Sequence, residues 1–419
     1  MNGRWTVAGG VMCAACVAGM AWGAEFFVKQ DGTGPGGYTN VQSALTAAKS
    51  AADGAHTITI LDSGNYDESV NVTSGTTTND FFTFRPAGGQ TPTLYGFYLY
   101  NQGAGVAFSN LIFDSRMHWP GRGFTNDSAI YLRPASGNQV PNADEIVRVE
   151  NCIFRGGSNW TSAYGVMVRY DQAGSGGRQV TVVGNRFEID EAPAKGAGVY
   201  IYSGNLPNVV IVSNYFRALY GVQEGSAVNA SFRRTVQYNV FDRVTGAGYY
   251  WRVGADPTNS FIEHNTFYKA SGTDQFNHGA IFVRRHDSVT LGNIGLRAVD
   301  NLFYGSGTNT ATWEGLYFYQ TGPTNSSISY NGFCNMRQVG GIDYPARWTG
   351  TWQTVTAVNA IPGCSNNIVN NTDPFVDAAN GNFHLKPGSW ALAAGSGGGY
   401  IGAFDTAFKP ATGTVVLLR

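Results

Sequence analysis

A short run of alternating apolar residues, closed by an asparagine and then a phenylalanine two positions later, recurs along the chain. Residues 208–216, for example, end in Asn214-Tyr-Phe216. Alternation of this kind predicts a β-strand with one buried face. The asparagines of all the copies are Asn110, Asn151, Asn185, Asn214, Asn239, Asn265, Asn301 and Asn331, and in the first two copies the phenylalanine comes one residue later. Repeats of a few tens of residues are typical of solenoids and propellers.

A second signal lies between these copies, where a glycine opens another alternating strand. The glycines are Gly165, Gly198, Gly248, Gly279 and Gly315. The variable repeat length favours a coil whose loops differ from turn to turn, because a propeller blade needs four strands and a steadier period. We therefore predict an all-β fold, a right-handed parallel β-helix of about ten rungs, with amide ladders along one turn and aromatic rings inside. Asn185, Asn214, Asn239 and Asn265 should stack in one turn, with Phe187, Phe216, Phe241 and Phe267 inside.

The same patterns divide the chain into four segments. Residues 1–23 predict a secretory signal peptide, with Arg4, an apolar run and a small-residue cleavage site; a membrane anchor or a lipid-anchored Cys16 fits less well. Residues 24–56 predict a strand and a helix near 41–52 that caps the first rung. Residues 57–372 form the β-helix, and residues 373–419 the closing segment. The protein is then secreted, periplasmic or on the cell surface.

Composition adds few constraints on partners. The chain has 56 Gly, 22 Tyr and 25 Phe but only 13% charged residues, which suits many short strands joined by tight corners. Loss of Arg4 with the signal peptide leaves a nearly balanced chain, which indicates neither a nucleic acid nor an anionic membrane as partner. We expect a monomer without an integral membrane segment after cleavage.

Two stretches resemble a known group of proteins. Residues 27–72, which begin FVKQDGTGPGG, look like the opening of pectin-lyase-like β-helix proteins, and residues 373–395 resemble their closing segment, with Trp390 where a proline is common. The resemblance implies a secreted solenoid with a capping helix. The motifs of pectin methylesterases, polygalacturonases and the main pectate lyases are absent from the sequence, so the resemblance indicates a fold and not a reaction.

Candidate chemistry lies on the glycine-led strands, where alternate positions predict two outward columns. The first column is Tyr131, Met167, Tyr200, Gln223, Tyr250, Phe282 and Tyr317; the second is Arg133, Arg169, Tyr202, Gly225, Arg252, Arg284 and Tyr319. Aromatic rings suit the faces of sugars, and guanidinium groups suit carboxylates or sulfates. The columns therefore predict an extended anionic polysaccharide along this face. The alternative is a solvated surface on which tyrosines and arginines stack on each other.

Three functions compete on this face. A polysaccharide lyase is favoured, with Arg252 and Arg284 neutralising a uronate carboxylate and Lys195 or Tyr250 as the base. A glycoside hydrolase needs a pair of carboxyl groups, which the outward columns lack. A glycan-binding protein without catalysis needs only the columns. Glu224 falls at an inward position, which indicates either a slipped register or a buried carboxylate that needs a partner and could mark a functional site.

Metal and disulfide predictions concern other parts of the chain. Glu188, Asp190 and Glu191 could bind calcium, although a plain polar loop explains them as well. No close cluster of histidines and cysteines indicates zinc. An exported protein can form disulfides, so Cys334 and Cys364, which bracket a tryptophan-rich stretch, are predicted to pair. Cys152 is predicted to be a small buried residue.

Overall fold

The computed structural model describes residues 23–404 apart from short connecting segments. The residues not described are 1–22, 52–53, 74–79, 101–103, 115–126, 134–144, 157–162, 170–178, 190–195, 203–207, 226–232, 254–259, 270–278, 286–295, 306–313, 320–321, 324–325, 349 and 405–419. The predicted signal peptide and Cys16 therefore lie outside the described residues.

The described chain is built almost entirely of parallel β-sheet, as the alternating pattern predicts. Its strands fall on three faces, and from residue 179 each turn of chain visits the first face, then the third, then the second. The first face consists of Glu25–Val28, Ala55–Ile60, Phe81–Pro86, Gly105–Ser109, Glu145–Glu150, Gln179–Val183, Asn208–Val212, Arg233–Gln237, Ser260–Glu263, Leu296–Val299 and Ser327–Ser329. Because strands far apart in sequence pair in parallel, the chain forms a solenoid-like stack.

The second and third faces belong to one continuous sheet. The second face consists of Asn65–Thr73, Thr93–Tyr100, Asp127–Arg133, Ala163–Arg169, Gly196–Tyr202, Tyr220–Glu224, Ala247–Val253, Ile281–Arg285, Leu316–Tyr319 and Ala346–Trp348, with Thr351–Gln353 antiparallel at its edge. The third face consists of Ile112–Asp114, Ile153–Gly156, Arg186–Ile189, Tyr215–Arg217, Val240–Asp242, Thr266–Tyr268, Leu302–Tyr304, Gly332–Cys334 and Ile368–Val369. Thr93–Tyr100 pairs with strands of both faces, which joins them.

The repeated asparagines form a ladder in the turn before the third face, which confirms the prediction for Asn185, Asn214, Asn239 and Asn265. The Oδ1 atom of each asparagine accepts the backbone N–H of the preceding member at 2.9–3.1 Å and its Nδ2 at 2.9–3.0 Å. The ladder continues through Asn301, Asn331 and Asn367 and ends at Asn359. These buried amides therefore satisfy one another.

Asn110 and Asn151 do not join the ladder, although the sequence pattern groups them with the others. Each is the corner residue that precedes the ladder position, and their φ angles are positive, 57° for Asn110 and 53° for Asn151. Asparagine tolerates this left-handed conformation better than most residues. The ladder position itself holds Leu111 and Cys152 in these turns, and the Cys152 N–H donates to Asn185 Oδ1 at 2.8 Å.

The repeated phenylalanines stack inside the coil, as predicted. Successive ring centroids along Phe113, Phe154, Phe187, Phe216, Phe241, Phe267, Phe303 and Phe333 are 4.6–5.0 Å apart, with planes within 6–9°. This stack explains the glycine signal. A Cβ added to Gly198 would lie 2.4 Å from a Phe216 ring carbon, and one on Gly248 would lie 2.6 Å from Phe267. Gly165, Gly198, Gly248 and Gly315 thus leave room for a phenylalanine ring of the stack, whereas a Cβ on Gly279, whose φ is 131°, would lie 3.0 Å from the Tyr317 Cβ.

A helix closes the N-terminal end, as the sequence predicts. It spans Val41–Lys49, ends before the predicted boundary, and buries Val41, Ala44, Leu45 and Ala48 against the core. Asn40 caps it by accepting the Ser43 N–H at 2.7 Å. The strand before it, Glu25–Val28, already pairs with Ala55–Ile60 and so forms part of the first face.

The C-terminal segment runs back along the outer side of the third face. Its elements are the hairpin Phe375–Asp377 and Asn382–Leu385 and the 3₁₀ turns Ala378–Asn380, Trp390–Leu392 and Ser396–Gly398. Phe375, Phe383 and Ile401 share an apolar cluster with Tyr268 and Leu302. The end of the coil instead carries the short helix Val355–Asn359 and the hairpin Gln338–Val339 and Ile342–Asp343.

Candidate functional site

The outer side of the second face carries the first predicted column in the register that the sequence predicts, and parts of the second. Tyr131 pairs with Met167, Met167 with Tyr200, and Tyr200 with Gln223. The pairing continues through Tyr250, Phe282 and Tyr317, and Tyr98 precedes Tyr131. We call the set Tyr98, Tyr131, Met167, Tyr200, Gln223, Tyr250, Phe282 and Tyr317 the outer aromatic column.

Most of the outer aromatic column is buried. Tyr131, Tyr250 and Tyr317 are 4%, 7% and 5% exposed, and Phe282 is fully buried. These side chains form an apolar cluster of their own, separate from the core inside the coil. Burial raises the pKa of the half-buried Tyr200 well above its usual value. A general base needs a pKa near the working pH, so this tyrosine is poorly suited to that role.

The second column is the accessible one. Arg169, Arg252, Arg284 and Tyr319 are half-buried, and Tyr202 is exposed. The Arg169 guanidinium lies 5.0 Å from the Tyr202 ring centroid, and Arg284 lies 5.7 Å from that of Tyr319. We call these five residues the arginine strip. The strand of Arg133 is described, but its side chain is not.

Pairing of neighbouring strands keeps the arginine strip in line. Arg169 is in register with Tyr202, Arg252 with Arg284, and Arg284 with Tyr319. Adjacent strands lie about 4.8 Å apart, so charged and aromatic groups recur at that interval along the coil. Gly225 interrupts the strip, and a Cβ there would lie 2.3 Å from the Tyr200 hydroxyl oxygen.

Glu224 lies inside the coil, at the inward position that the sequence predicts, and this buried carboxylate has a charged partner. It is in register with Ile201 and Trp251, so the register does not slip. Arg234 Nε donates to both carboxylate oxygens, at 3.0 and 3.1 Å, and the Tyr249 hydroxyl donates to Oε1 at 2.6 Å.

The surroundings of Glu224 fit a structural role. Glu224 and Arg234 are each 1% exposed, and they are enclosed by the stacked strands. Burial and the neighbouring carboxylate raise the Tyr249 pKa well above its usual value. The placement favours an internal ion pair, because a glycan on the outer side of the second face does not reach these groups.

Several predicted site residues are not tested by the structure. Lys195, the proposed base, lies outside the described residues, as do Asp190 and Glu191 of the predicted calcium site. Glu188 is described and is paired with Arg186 on its own strand, whose Nε donates at 2.7 Å. Among the described residues, no group of three or more histidine, cysteine or acidic side chains could hold a metal ion.

The predicted disulfide between Cys334 and Cys364 is wrong. Cys152, Cys334 and Cys364 are all buried free thiols. Cys334 lies at the end of a third-face strand and its thiol donates to the Thr372 carbonyl at 3.7 Å. The Cys364 thiol donates to the Ser326 carbonyl at 3.6 Å. The two residues bracket a loop in sequence but face different parts of the structure, so each thiol finds a separate backbone acceptor.

A charged cluster at the C-terminal end of the second face has no counterpart in the sequence analysis. Arg347 is in register with Tyr317 and also pairs with Trp352 on the antiparallel edge strand. Arg337 and Glu314 lie beside them. We call Glu314, Tyr317, Arg337, Arg347 and Trp352 the end cluster. A continuation of the outward column beyond Tyr317 could have identified Arg347, but the repeat signal stops there.

No protein-family model matches the sequence, and no curated protein matches it. Over the residues that are described, none of the helices has the length and apolar character required to cross a membrane.

Proposed function

We propose that the arginine strip binds an extended anionic glycan lying along the second face. The observation that carries the proposal is the register of Arg169 with Tyr202, and of Arg252 with Arg284 and Tyr319, while most of the neighbouring column is buried. A sugar chain is a linear repeat, so a linear repeat of cations and rings is a matching surface. Guanidinium groups bind carboxylates through two parallel hydrogen bonds, and aromatic rings pack against sugar faces.

The charge of the whole protein does not supply this attraction. The chain carries a formal net charge of −1, so any preference for anions has to come from local arrangement. The strip arginines are half-buried, which reduces competition from water and salt compared with fully exposed side chains. The mostly buried outer aromatic column beside them fixes their position, because each strip residue lies two positions along the strand from a column member.

The fold details that support this function are part of the proposal. We propose a right-handed parallel β-helix of about ten rungs, related to the pectin-lyase-like proteins, since parallel crossovers are right-handed in nearly all sheets. Secretion follows from the apolar N-terminal segment with its small-residue site. We propose that the protein acts as a monomer.

The proposed reaction is β-elimination at a uronate residue. Arg252 and Arg284 would neutralise the carboxylate and so acidify the C5 proton, which Lys195 would remove. The C4–O bond would then break as the C4–C5 double bond forms, and the leaving oxygen would take a proton from water. Tyr250, the other predicted base, is 7% exposed, which favours Lys195 between the two. Glycan binding without catalysis is the alternative. A hydrolase has less support, because the described acidic residues Glu224 and Glu314 are buried and belong to separate clusters.

The test is binding and turnover of uronate polysaccharides by the purified protein. Replacing Arg252 or Arg284 by alanine should weaken binding about tenfold or more, because each removes hydrogen bonds to a charged group. Raised salt should weaken binding by the wild type. Arg217→Ala is the matched control, since Arg217 is exposed on the third face.

Turnover is followed through absorbance of the new double bond, with a chelator present in a parallel assay. Lyase activity that vanishes in Lys195→Ala while binding persists supports β-elimination. Binding without any turnover supports the non-catalytic alternative. If the two strip variants bind as tightly as the wild type, the strip is a structural stack and the proposal fails.

A further inference from the structure

At its C-terminal end the outer aromatic column meets arginine side chains, and aromatic rings and guanidinium groups alternate there. Arg347 lies between two rings, 5.1 Å from the Tyr317 centroid and 4.9 Å from that of Trp352. Arg337 lies 3.9 Å from the same Trp352 ring. Both arginines and Trp352 remain half-exposed. Two cations are therefore held against one indole at the point where the parallel strands of the second face stop.

Glu314 lies within ion-pair distance of Arg347 but makes no hydrogen bond with either arginine. Its side chain is fully buried, and neither carboxyl oxygen has a hydrogen-bond partner among the described residues. The nearest guanidinium atom, Arg347 Nη1, is 3.6 Å from Oε1, which is too long for a hydrogen bond. Burial raises the pKa of Glu314 to about 7, and Arg347 and then Arg337 oppose that rise.

The groups that face Glu314 in the described part of the chain are few. Tyr317 lies on the strand Leu316–Tyr319, which begins just after Glu314, and Arg347 lies on the next strand of the second face. Arg337 precedes the hairpin at the end of the coil. Burial also raises the pKa of Tyr317, so this tyrosine stays neutral near pH 7. Glu314 is thus the group among these whose charge changes near neutrality.

We propose that Arg337 and Arg347, held against Trp352, form a subsite for the carboxylate of a uronate residue at the end of the bound glycan. Glu314 sets the strength of this subsite through the charge that it places beside Arg347. The inference rests on the proposed function, since the subsite extends the same face. The planar guanidinium fork matches a planar carboxylate, and the Trp352 ring holds both guanidinium groups beside each other.

The charge of Glu314 gives the subsite a pH dependence. Below pH 7 Glu314 is neutral, and Arg347 offers its full charge to the ligand. Above pH 7 the Glu314 carboxylate competes with the ligand for Arg347. A uronate carboxylate remains ionised throughout this range, because ordinary carboxyl groups titrate near pH 4. Affinity for the terminal residue therefore falls as the pH rises through 7.

The experiment is calorimetric titration of short ligands that cannot span the strip. The probes are galacturonate, glucuronate and mannuronate trisaccharides, their carboxyl-reduced counterparts and a sulfated neutral trisaccharide, each at pH 5.5 and 8.5. Wild-type protein should bind at least one uronate trisaccharide more tightly than its reduced form, and several-fold more tightly at pH 5.5. Arg347→Ala and Arg337→Ala should weaken that binding about tenfold or more. Glu314→Gln should bind tightly at both pH values.

Three results would overturn the inference. These are uronate trisaccharides that bind no better than the reduced forms, equal binding of the sulfated trisaccharide, and a folded Glu314→Gln protein with the wild-type pH dependence. Other titrating groups affect wild type and Glu314→Gln alike, so the difference between the two isolates Glu314. Trp352→Ala, a half-exposed substitution, tests the subsite independently if Glu314→Gln does not fold.

The strip and the subsite can fail separately. If Arg252→Ala binds the polymer weakly while Arg347→Ala binds the trisaccharides normally, the proposed function is supported and the subsite is excluded. Normal polymer binding by the strip variants, together with lost trisaccharide binding in Arg347→Ala and Arg337→Ala, supports the subsite and removes the strip.

Discussion

Two stacks of aromatic rings run side by side along this molecule, one inside the coil and one on the outer side of the second face. The inner stack is uniform, since phenylalanines repeat with planes within 6–9° of each other. The outer aromatic column mixes tyrosine, methionine, glutamine and phenylalanine, and its ring planes differ by 11° between Tyr98 and Tyr131 but by 55° between Phe282 and Tyr317.

The difference reflects what each stack has to satisfy. An inner residue meets the same neighbours in every turn, because the coil encloses a space of constant shape, and one residue type fits it best. An outer residue is not enclosed by the coil, and the residue type beside it on the next strand changes from turn to turn. Uniformity therefore indicates a packing requirement, while variation with a shared chemical theme leaves room for ligand recognition.

The strongest test of this contrast is removal of one ring from each region. Phe241→Ala should lower the free energy of unfolding by about 3–5 kcal/mol, because it leaves a cavity in a close-packed stack. Tyr319→Ala, from the half-exposed arginine strip, should cost about 1 kcal/mol or less. Chemical denaturation of both variants measures the difference. Equal losses would show that the strip supports the fold as much as the inner stack does.

The asparagine ladder provides the next largest effect. Asn239→Ala should cost about 3 kcal/mol, because it leaves the Asn214 backbone N–H and side-chain amide without their buried acceptor. Asn110→Ala should cost about 1 kcal/mol, since Asn110 contributes a positive φ and no ladder bond. Thermal and denaturant unfolding distinguish the two. A larger loss at Asn110 would contradict the distinction between corner and ladder positions.

Glu314 should produce a smaller effect that depends on pH. Its folded pKa of about 7 lies above the ordinary carboxyl value, so the fold favours the neutral form. The contribution of Glu314 to the free energy of unfolding is then highest below about pH 4.5. It falls by roughly 2–3 kcal/mol as the pH rises from 4.5 to above 7. Glu314→Gln should lack this fall and should exceed wild type in stability at pH 8. A constant difference between the two proteins from pH 4.5 to 8 would contradict the assignment.

The smallest expected effect concerns the cysteines. Reducing agent should leave the unfolding midpoint unchanged, and Cys364→Ser should respond no differently, because Cys364 forms no disulfide. Burial raises the Cys334 pKa to about 12, so this thiol should react with thiol reagents only after unfolding. Titration of thiols in denatured, unreduced protein gives the count. A count of fewer free thiols than cysteines would show that a disulfide is present after all.

The sequence predicted the repeated features and missed most of those that occur once. The ladder, the phenylalanine stack and the strand register were accessible because each turn repeats the same physical demand. The capping helix occurs once, but its apolar residues have their own helical spacing. The need of Glu224 for a partner was also predicted, although nothing in the repeat points to Arg234. The occupants of the ladder position at Leu111 and Cys152 were missed, because the visible asparagine had moved to the neighbouring corner.

The site was less predictable than the fold. Register correctly placed Arg169 beside Tyr202 and Arg284 between Arg252 and Tyr319, but alternation cannot show that most of the outer aromatic column would be buried. The end cluster was missed because the chain leaves the repeat after Cys334, so that Arg337, Arg347 and Trp352 come together through a turn and an antiparallel strand. The disulfide prediction relied on separation in sequence, which does not measure distance in a coil.

The C-terminal segment has a consequence for how the molecule comes apart. A solenoid held only by neighbouring contacts frays from its ends, one turn at a time. Here the segment joins turns that are far from the end, since Ala403 N–H donates to Thr266 Oγ1, Gly402 N–H donates to the Asp300 carbonyl, and Arg243 donates to the Ala379 carbonyl. The last turns therefore cannot unwind before this strap detaches, and the C-terminal half should open as one cooperative unit in hydrogen exchange.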